Sequence, residues 1–240
     1  MKAIGIKLLL VLAIAMSHVY AQNSPELVGA WETGSDVKKT KIYSEQFFAV
    51  SVYSTETKKF VSTTGGRWRK NENEIIETIE FDSESPQNVG TERKVGYTLQ
   101  AGKLTLTVNG KSEQWARVDD GTPGKLPGAW IITGRMNDGK MTQMNPGARR
   151  TMKILSGTRF QWIAYNVETK EFSGTGGGTS TTENGKYREH ILFFSRDDNR
   201  VGSDLQFDFS MENGDWRHRG LSSKGDPIDE VWSKREKVGL

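Results

Sequence analysis

The sequence contains no cysteine and only 3 histidines among its 240 residues. Without cysteine, the chain has no disulfide to stabilise it and no thiolate to act as a nucleophile or metal ligand. One of the histidines, His18, lies in the first residues, and no Ser-His-Asp grouping, metal-binding spacing or nucleophile elbow occurs elsewhere. We therefore predict that the protein is not an enzyme, with no catalytic residues, no metal site and no cofactor.

Long apolar runs are also missing, apart from one short run at residues 8–16. Lys2 and Lys7 precede or border this run, and small residues ending in Ala21 follow it. This pattern is typical of a cleaved export signal and is too short for a membrane anchor. We predict a signal peptide at residues 1–21, a periplasmic or secreted location, and no transmembrane segment in the mature chain.

A large excess of charge of one sign is absent as well. The formal net charge of +3 falls to +1 when Lys2 and Lys7 leave with the signal. A nearly neutral chain offers no electrostatic attraction to polyanions. Nucleic acid is therefore not expected as a partner.

The sequence does contain an internal repeat. YSTETKKF at residues 53–60 returns as YNVETKEF at residues 165–172, and at that offset of 112 residues 41–102 match residues 153–214 at 19 of 62 positions without a gap. Each unit of about 100 residues can bury a core of its own. We predict two domains, at residues 22–120 and 126–240, joined by a linker at residues 121–125.

Period-two alternation with turn residues every 8–12 positions indicates antiparallel strands in sequence order. In the first copy we predict eight strands, near residues 29–33, 39–43, 47–53, 59–69, 74–81, 93–99, 103–108 and 112–118. Closing such a sheet removes its exposed edges. The predicted fold is all-β, with two tandem, small, antiparallel up-and-down β-barrels.

Both copies begin and end alike. LVGAW at residues 27–31 corresponds to LPGAW at residues 126–130, and EQWAR at residues 113–117 corresponds to EVWSK at residues 230–234. A Gly-x-Trp on the first strand with a basic residue on the last resembles the lipocalin and fatty-acid-binding-protein superfamily. The whole chain resembles lipocalin-like secreted proteins of unknown function from Bacteroidetes-type bacteria. The resemblance implies that Trp31 meets Arg117, and that Trp130 meets Lys234 or the residue after it, to close each barrel.

One carboxylate stands among apolar residues in both copies. Glu77 shares a strand face with Ile75, Ile79 and Phe81, and Glu189 holds the equivalent position. A buried carboxylate needs a polar partner. Glu189 is therefore either the polar anchor for a ligand or half of an internal ion pair, and the sequence leaves both interpretations open.

Alternation also assigns inward-facing aromatic residues to the second copy. Such residues line a ligand-binding cup or, as is more common for a stripe of this kind, form an ordinary core: Phe160, Trp162, Tyr187, Phe207 and Phe209. The glycine-rich segment at residues 174–181 lacks the Lys-Ser/Thr of a phosphate-binding loop. We expect its glycines to permit close approach of the backbone.

The second copy has 13 more residues between its first two strands, within residues 133–150. The lipocalin resemblance implies a loop across the mouth of the barrel. Met136, Met141 and Met144 would give such a lid an adaptable apolar surface. A flap between the barrels is the alternative.

These features predict an exported binding protein that carries a small apolar or amphipathic ligand in its second barrel. The alternative is a structural or interaction module with self-filled barrels that docks on a protein or cell-envelope partner. A third interpretation is a barrel enzyme that acts on a bound lipid or pigment.

Overall fold

The computed structural model describes residues 25–240, and the predicted signal peptide lies outside them. The first barrel consists of eight antiparallel strands, each hydrogen-bonded to the next. β1 also pairs with β8, which closes the barrel. The fold-class prediction is therefore confirmed. The strands are β1 Gly29–Thr33, β2 Val37–Tyr43, β3 Phe47–Ser54, β4 Phe60–Asn71, β5 Glu74–Asp82, β6 Glu92–Gln100, β7 Lys103–Val108 and β8 Lys111–Asp119.

The second barrel repeats this order and adds one strand. Its first strand, β9, pairs with both β11 and β17 and so closes the barrel, whereas β10 pairs with the far end of β9. The strands are β9 Gly128–Asn137, β10 Lys140–Gln143, β11 Arg149–Leu155, β12 Arg159–Asn166, β13 Phe172–Glu183, β14 Lys186–Phe194, β15 Asp204–Glu212, β16 Asp215–Leu221 and β17 Pro227–Lys234. Eight strands close the wall, as predicted, and β10 is a ninth strand that the repeat did not indicate.

In each barrel a tryptophan on the first strand contacts a basic residue on the last strand. The indole nitrogens of Trp31 and Trp130 each donate a 2.9 Å hydrogen bond to the carbonyl oxygen four residues earlier. The guanidinium carbon of Arg117 lies 4.1 Å from the Trp31 ring centroid, and the ammonium of Lys234 lies 4.4 Å from that of Trp130. Such a cation over an indole stabilises by about 0.5–2 kcal/mol and ties the last strand to the first.

The barrels pack through a shared apolar core and are related by a pseudo-twofold arrangement. Tyr53 stacks on Phe193 with a centroid distance of 5.0 Å, and the equivalent pair, Tyr165 and Phe81, has the same distance. Phe60 stacks at 6.1 Å on Phe172, its own equivalent in the second copy. The outer faces of both barrels supply the surrounding core.

Polar contacts also join the two barrels. The Asp119 carboxylate, at the end of β8, accepts hydrogen bonds from the backbone nitrogens of Gly157 and Thr158 and from the Ser156 hydroxyl. Glu80 of β5 accepts two hydrogen bonds from Arg235, which is fully buried. The barrels are therefore joined by a packed interface as well as by the chain.

Candidate functional site

The interior of the second barrel contains a cavity of about 180 Å³. Its apolar walls include Trp162 on β12, Leu205 and Phe207 on β15, and Trp232 on β17. These side chains reach the same space because inward positions alternate along each strand. Its ionisable residues are Lys153, Glu189, His218 and Glu230, and three hydroxyl residues also line it: Thr151, Ser222 and Ser223.

Lys153 and Glu189 form a buried ion pair beside this cavity. The Lys153 ammonium lies 2.7 Å from Glu189 Oε1, and the two side chains are only 7% and 4% exposed. The same ammonium lies 5.2–5.6 Å from the ring centroids of Tyr187, Phe207, Trp216 and Trp232. Glu189 is thus half of an internal ion pair that also borders the cavity.

The first barrel contains the same pair but surrounds it differently. Lys41 and Tyr43 both donate to Glu77 Oε1, at 2.5 and 3.1 Å, while the Arg93 guanidinium donates to Oε2. The residue equivalent to Arg93 in the second copy is Leu205, which lines the cavity. The arginine that binds the carboxylate in the first barrel is therefore replaced, in the second barrel, by a shorter apolar leucine that lines the cavity.

The second barrel also carries an acid–histidine pair that has no counterpart in the first. His218 Nδ1 lies 3.5 Å from Glu230 Oε2, and Glu230 accepts hydrogen bonds from Arg135 at 2.7 Å and from the Trp232 indole at 3.1 Å. Burial opposes ionisation of Glu230, but its contacts with His218, Lys153 and Arg135 outweigh burial and lower its pKa. The residue equivalent to His218 in the first copy is Leu106.

The structure brings some of the predicted ligand-binding residues together and not others. Trp162, Glu189 and Phe207 line the cavity. Phe160 and Tyr187 are fully buried and contact each other edge to face at 6.3 Å. Phe209 packs against the same core cluster but does not line the cavity.

The methionine segment forms a β-hairpin. Met136 on β9 lies opposite Met141 on β10, and Met144 follows β10. Met144 is 38% exposed, and none of the three methionines lines the cavity. The segment takes this form because residues 133–137 extend β9 and the turn at residues 138–139 folds the chain back on it, and its role as a lid stays a prediction.

Sequence reasoning missed three polar residues at the site. Lys153 could have been found because it is identical to Lys41 within the gapless repeat, and Glu230 because it corresponds to Glu113. His218 carries no repeat signal, since its equivalent is a leucine. Only the strand register places it opposite Glu230.

Two larger hollows lie outside this barrel interior. One of about 380 Å³ crosses the outer surface of β13–β15, where His190 and Asp204 are 43% and 82% exposed. The other, of about 440 Å³, lies in the groove between the barrels beside Ser44, Ser156 and Lys234. Both have some buried polar residues, but neither is lined by tryptophan or phenylalanine as the barrel interior is.

Among residues 25–240, no group of three or more His, Cys, Asp or Glu side chains is arranged to hold a metal ion. The same residues include no helix of the length and apolarity needed to cross a membrane. No protein-family model, curated protein or solved structure matches this chain.

Proposed function

We propose that the protein is an exported, non-catalytic binding protein whose second barrel carries a small amphipathic molecule. One observation carries this proposal: Leu205 borders a cavity at the position where Arg93 binds the carboxylate in the first barrel. The first barrel then serves as a scaffold. The resemblance to lipocalins and fatty-acid-binding proteins supports the same use of the fold, and the signal pattern at residues 1–21 supports a periplasmic or secreted location.

The cavity volume limits the size of the ligand. An apolar cavity of about 150 Å³ in another protein binds benzene, whereas drug-sized ligands occupy about 300–1,000 Å³. At about 180 Å³, the second barrel has room for one ring and a small substituent. A long ligand such as a retinoid does not fit this volume.

A second candidate is an interaction module whose barrels are filled by their own side chains. The Lys153 ammonium supports it, because it lies within 5.6 Å of four aromatic ring centroids and so occupies much of the barrel centre. In that case the outer surface would dock on a protein or cell-envelope partner.

Leu205→Arg separates these candidates. The new arginine would reach Glu189 as Arg93 reaches Glu77, and would fill the cavity while preserving the fold. Titration of the mature protein with toluene, followed by tryptophan emission and native mass spectrometry, should give saturable binding that Leu205→Arg abolishes.

Arg93→Leu in the first barrel is the matched control and should leave toluene binding to the second barrel unchanged. An unaltered chain that binds neither toluene nor any member of a broad set of small apolar probes would contradict a binding cup and favour the interaction module.

A further inference from the structure

His218 is a buried histidine without a hydrogen-bonding partner. The His218 side chain lines the cavity, and the residue is only 1% exposed. Neither of its ring nitrogens makes a hydrogen bond within the described residues. The nearest acceptor, Glu230 Oε2, lies at the 3.5 Å limit of such contacts. An unsatisfied buried polar group destabilises a fold, so a leucine such as Leu106 at the equivalent position would stabilise the core more. The imidazole is therefore suited to a polar group that enters the cavity.

The imidazole is neutral at physiological pH. Burial and the positive charge of Lys153 together lower the pKa of His218 to about 4, although Glu230 and Glu189 act in the opposite direction. A neutral imidazole has one N–H donor and one acceptor nitrogen. A hydroxyl group can both donate and accept, so it can pair with whichever nitrogen faces it.

The charges around the cavity are already paired. Lys153 binds Glu189 at 2.7 Å, and Arg135 binds Glu230 at 2.7 Å. An additional buried charge without its own counter-ion is costly. A carboxylate ligand would also face two glutamates, and an ammonium ligand would face Lys153. The pairing favours a neutral ligand.

The walls favour a flat, aromatic ligand. Trp162 contacts Phe194 edge to face at 5.4 Å, and the Phe207 ring centroid lies 4.1 Å from that of His218. All four residues line the cavity. Aromatic rings gain from edge-to-face or offset contacts beyond the area they bury.

We propose that the second barrel binds a neutral single-ring aromatic alcohol of the phenol type, with its hydroxyl hydrogen-bonded to His218 and its ring between Trp162, Phe207 and Trp232. This inference rests on the proposed function, because it names the ligand class for the same cavity.

Four probes of similar size test the assignment: p-cresol, toluene, benzoate and benzylamine. Binding is measured by nuclear magnetic resonance on the seven tryptophan indole N–H signals, with the ring nitrogens of His218 followed separately. We expect p-cresol to bind about five- to tenfold more tightly than toluene, as one net hydrogen bond implies, and to shift the His218 ring signals. Benzoate and benzylamine should bind more weakly than p-cresol.

His218→Leu should reduce p-cresol binding to the level of toluene, with toluene binding retained. Leu106 at the equivalent position indicates that the barrel accepts this residue. His218→Gln keeps a donor and an acceptor and should restore part of the preference, which distinguishes recognition from a general effect on the fold.

The outcomes separate the two proposals. If toluene and p-cresol bind equally, or if a charged probe binds most tightly, the phenol assignment is wrong while the binding cup stands. If none of the four probes binds, the proposed function itself fails. A p-cresol preference that survives His218→Leu also overturns the assignment.

Discussion

The carboxylates of Glu77 and Glu189 occupy the same position in the two barrels. Each forms an ion pair with a lysine, Lys41 on β2 and Lys153 on β11. Their burial follows from sequence, because alternation places them on an apolar face in both copies. Their partners, Lys41 and Lys153, do not follow from alternation alone. Each lies 36 residues away from its glutamate, and the contact depends on how the barrel closes.

Glu189→Leu tests the ion pair at the second barrel. The change leaves the buried Lys153 ammonium without a counter-charge, and breaking a buried pair in this way costs about 3–5 kcal/mol. We expect a loss of that size in the free energy of unfolding measured with denaturant. The double variant Lys153→Met with Glu189→Leu should recover most of it, and equal losses in both variants would contradict a paired role.

His218 should make stability depend on pH. Its pKa is about 4 in the fold, lowered by burial from an ordinary 6.5. Between these values the unfolded chain binds the proton and the folded chain does not, so stability falls as pH falls through this window and no further below it.

His218→Leu should remove this component. Between pH 6.5 and 4.5 the unaltered protein should lose about 2–3 kcal/mol more than the variant, as measured by denaturant unfolding at each pH. Acidic residues other than Glu230, whose pKa His218 itself lowers, contribute to both proteins and cancel in the comparison. Parallel curves for the two proteins would show that His218 is accessible to protons in the fold.

At the scale of elements, the eight strands of the first barrel follow from sequence almost residue by residue. The predicted strand at residues 103–108 coincides with β7, and the other bounds differ from the structure by two residues or fewer. The exception in the second copy is β10. Its hairpin turn at residues 138–139 contains Asp-Gly, a recognised hairpin signal. The family resemblance implies a loop at this place, whereas the local Asp-Gly pair indicates a hairpin.

The glycines of β4 and β13 mark the same bend in both barrels. Register shifts occur between Gly65 and Gly66 and between Gly177 and Gly178. A Cβ atom on Gly178 would lie 2.0 Å from the carbonyl oxygen of His190. This short distance agrees with the expectation that the glycines allow close approach of the backbone.

Gly178→Ala should therefore destabilise the protein by about 1–3 kcal/mol, because the strands must separate to admit the methyl group. Gly147→Ala is the matched control, since a Cβ at Gly147 meets no atom within 4 Å. It should change stability by less than about 0.5 kcal/mol. Thermal unfolding followed by circular dichroism compares the two variants, and similar melting temperatures would contradict the contact.

At the scale of the whole molecule, the two barrels share a core, and charges are buried within it. Glu80 of the first barrel accepts from Arg235 and Tyr165 of the second copy, at 2.9 and 2.8 Å on the same oxygen. Burial opposes ionisation of Glu80, but its contacts with Arg235, Arg150 and Tyr165 together outweigh burial and lower the Glu80 pKa. The repeat alone could not predict this contact, because the residues equivalent to Glu80 and Arg235 in the other copy are Leu192 and Val118.

Glu80→Gln should destabilise both barrels together. It leaves the fully buried Arg235 without a counter-charge, at a cost of about 3 kcal/mol. Glu92→Gln removes an exposed partner of Arg69 and should cost less than about 1 kcal/mol. Denaturant unfolding, monitored by tryptophan emission, provides both values. A small effect of Glu80→Gln would mean that water reaches the interface.

The stacking of Phe60 on Phe172 has a consequence for the history of the chain. Equivalent residues meet across a twofold axis only where a surface is complementary to itself, which is the property that a symmetric homodimer requires. A half-length ancestor with this surface could already associate in pairs. In the present chain both halves are held in one polypeptide, and they differ where Arg93 binds its glutamate in one and Leu205 borders a cavity in the other.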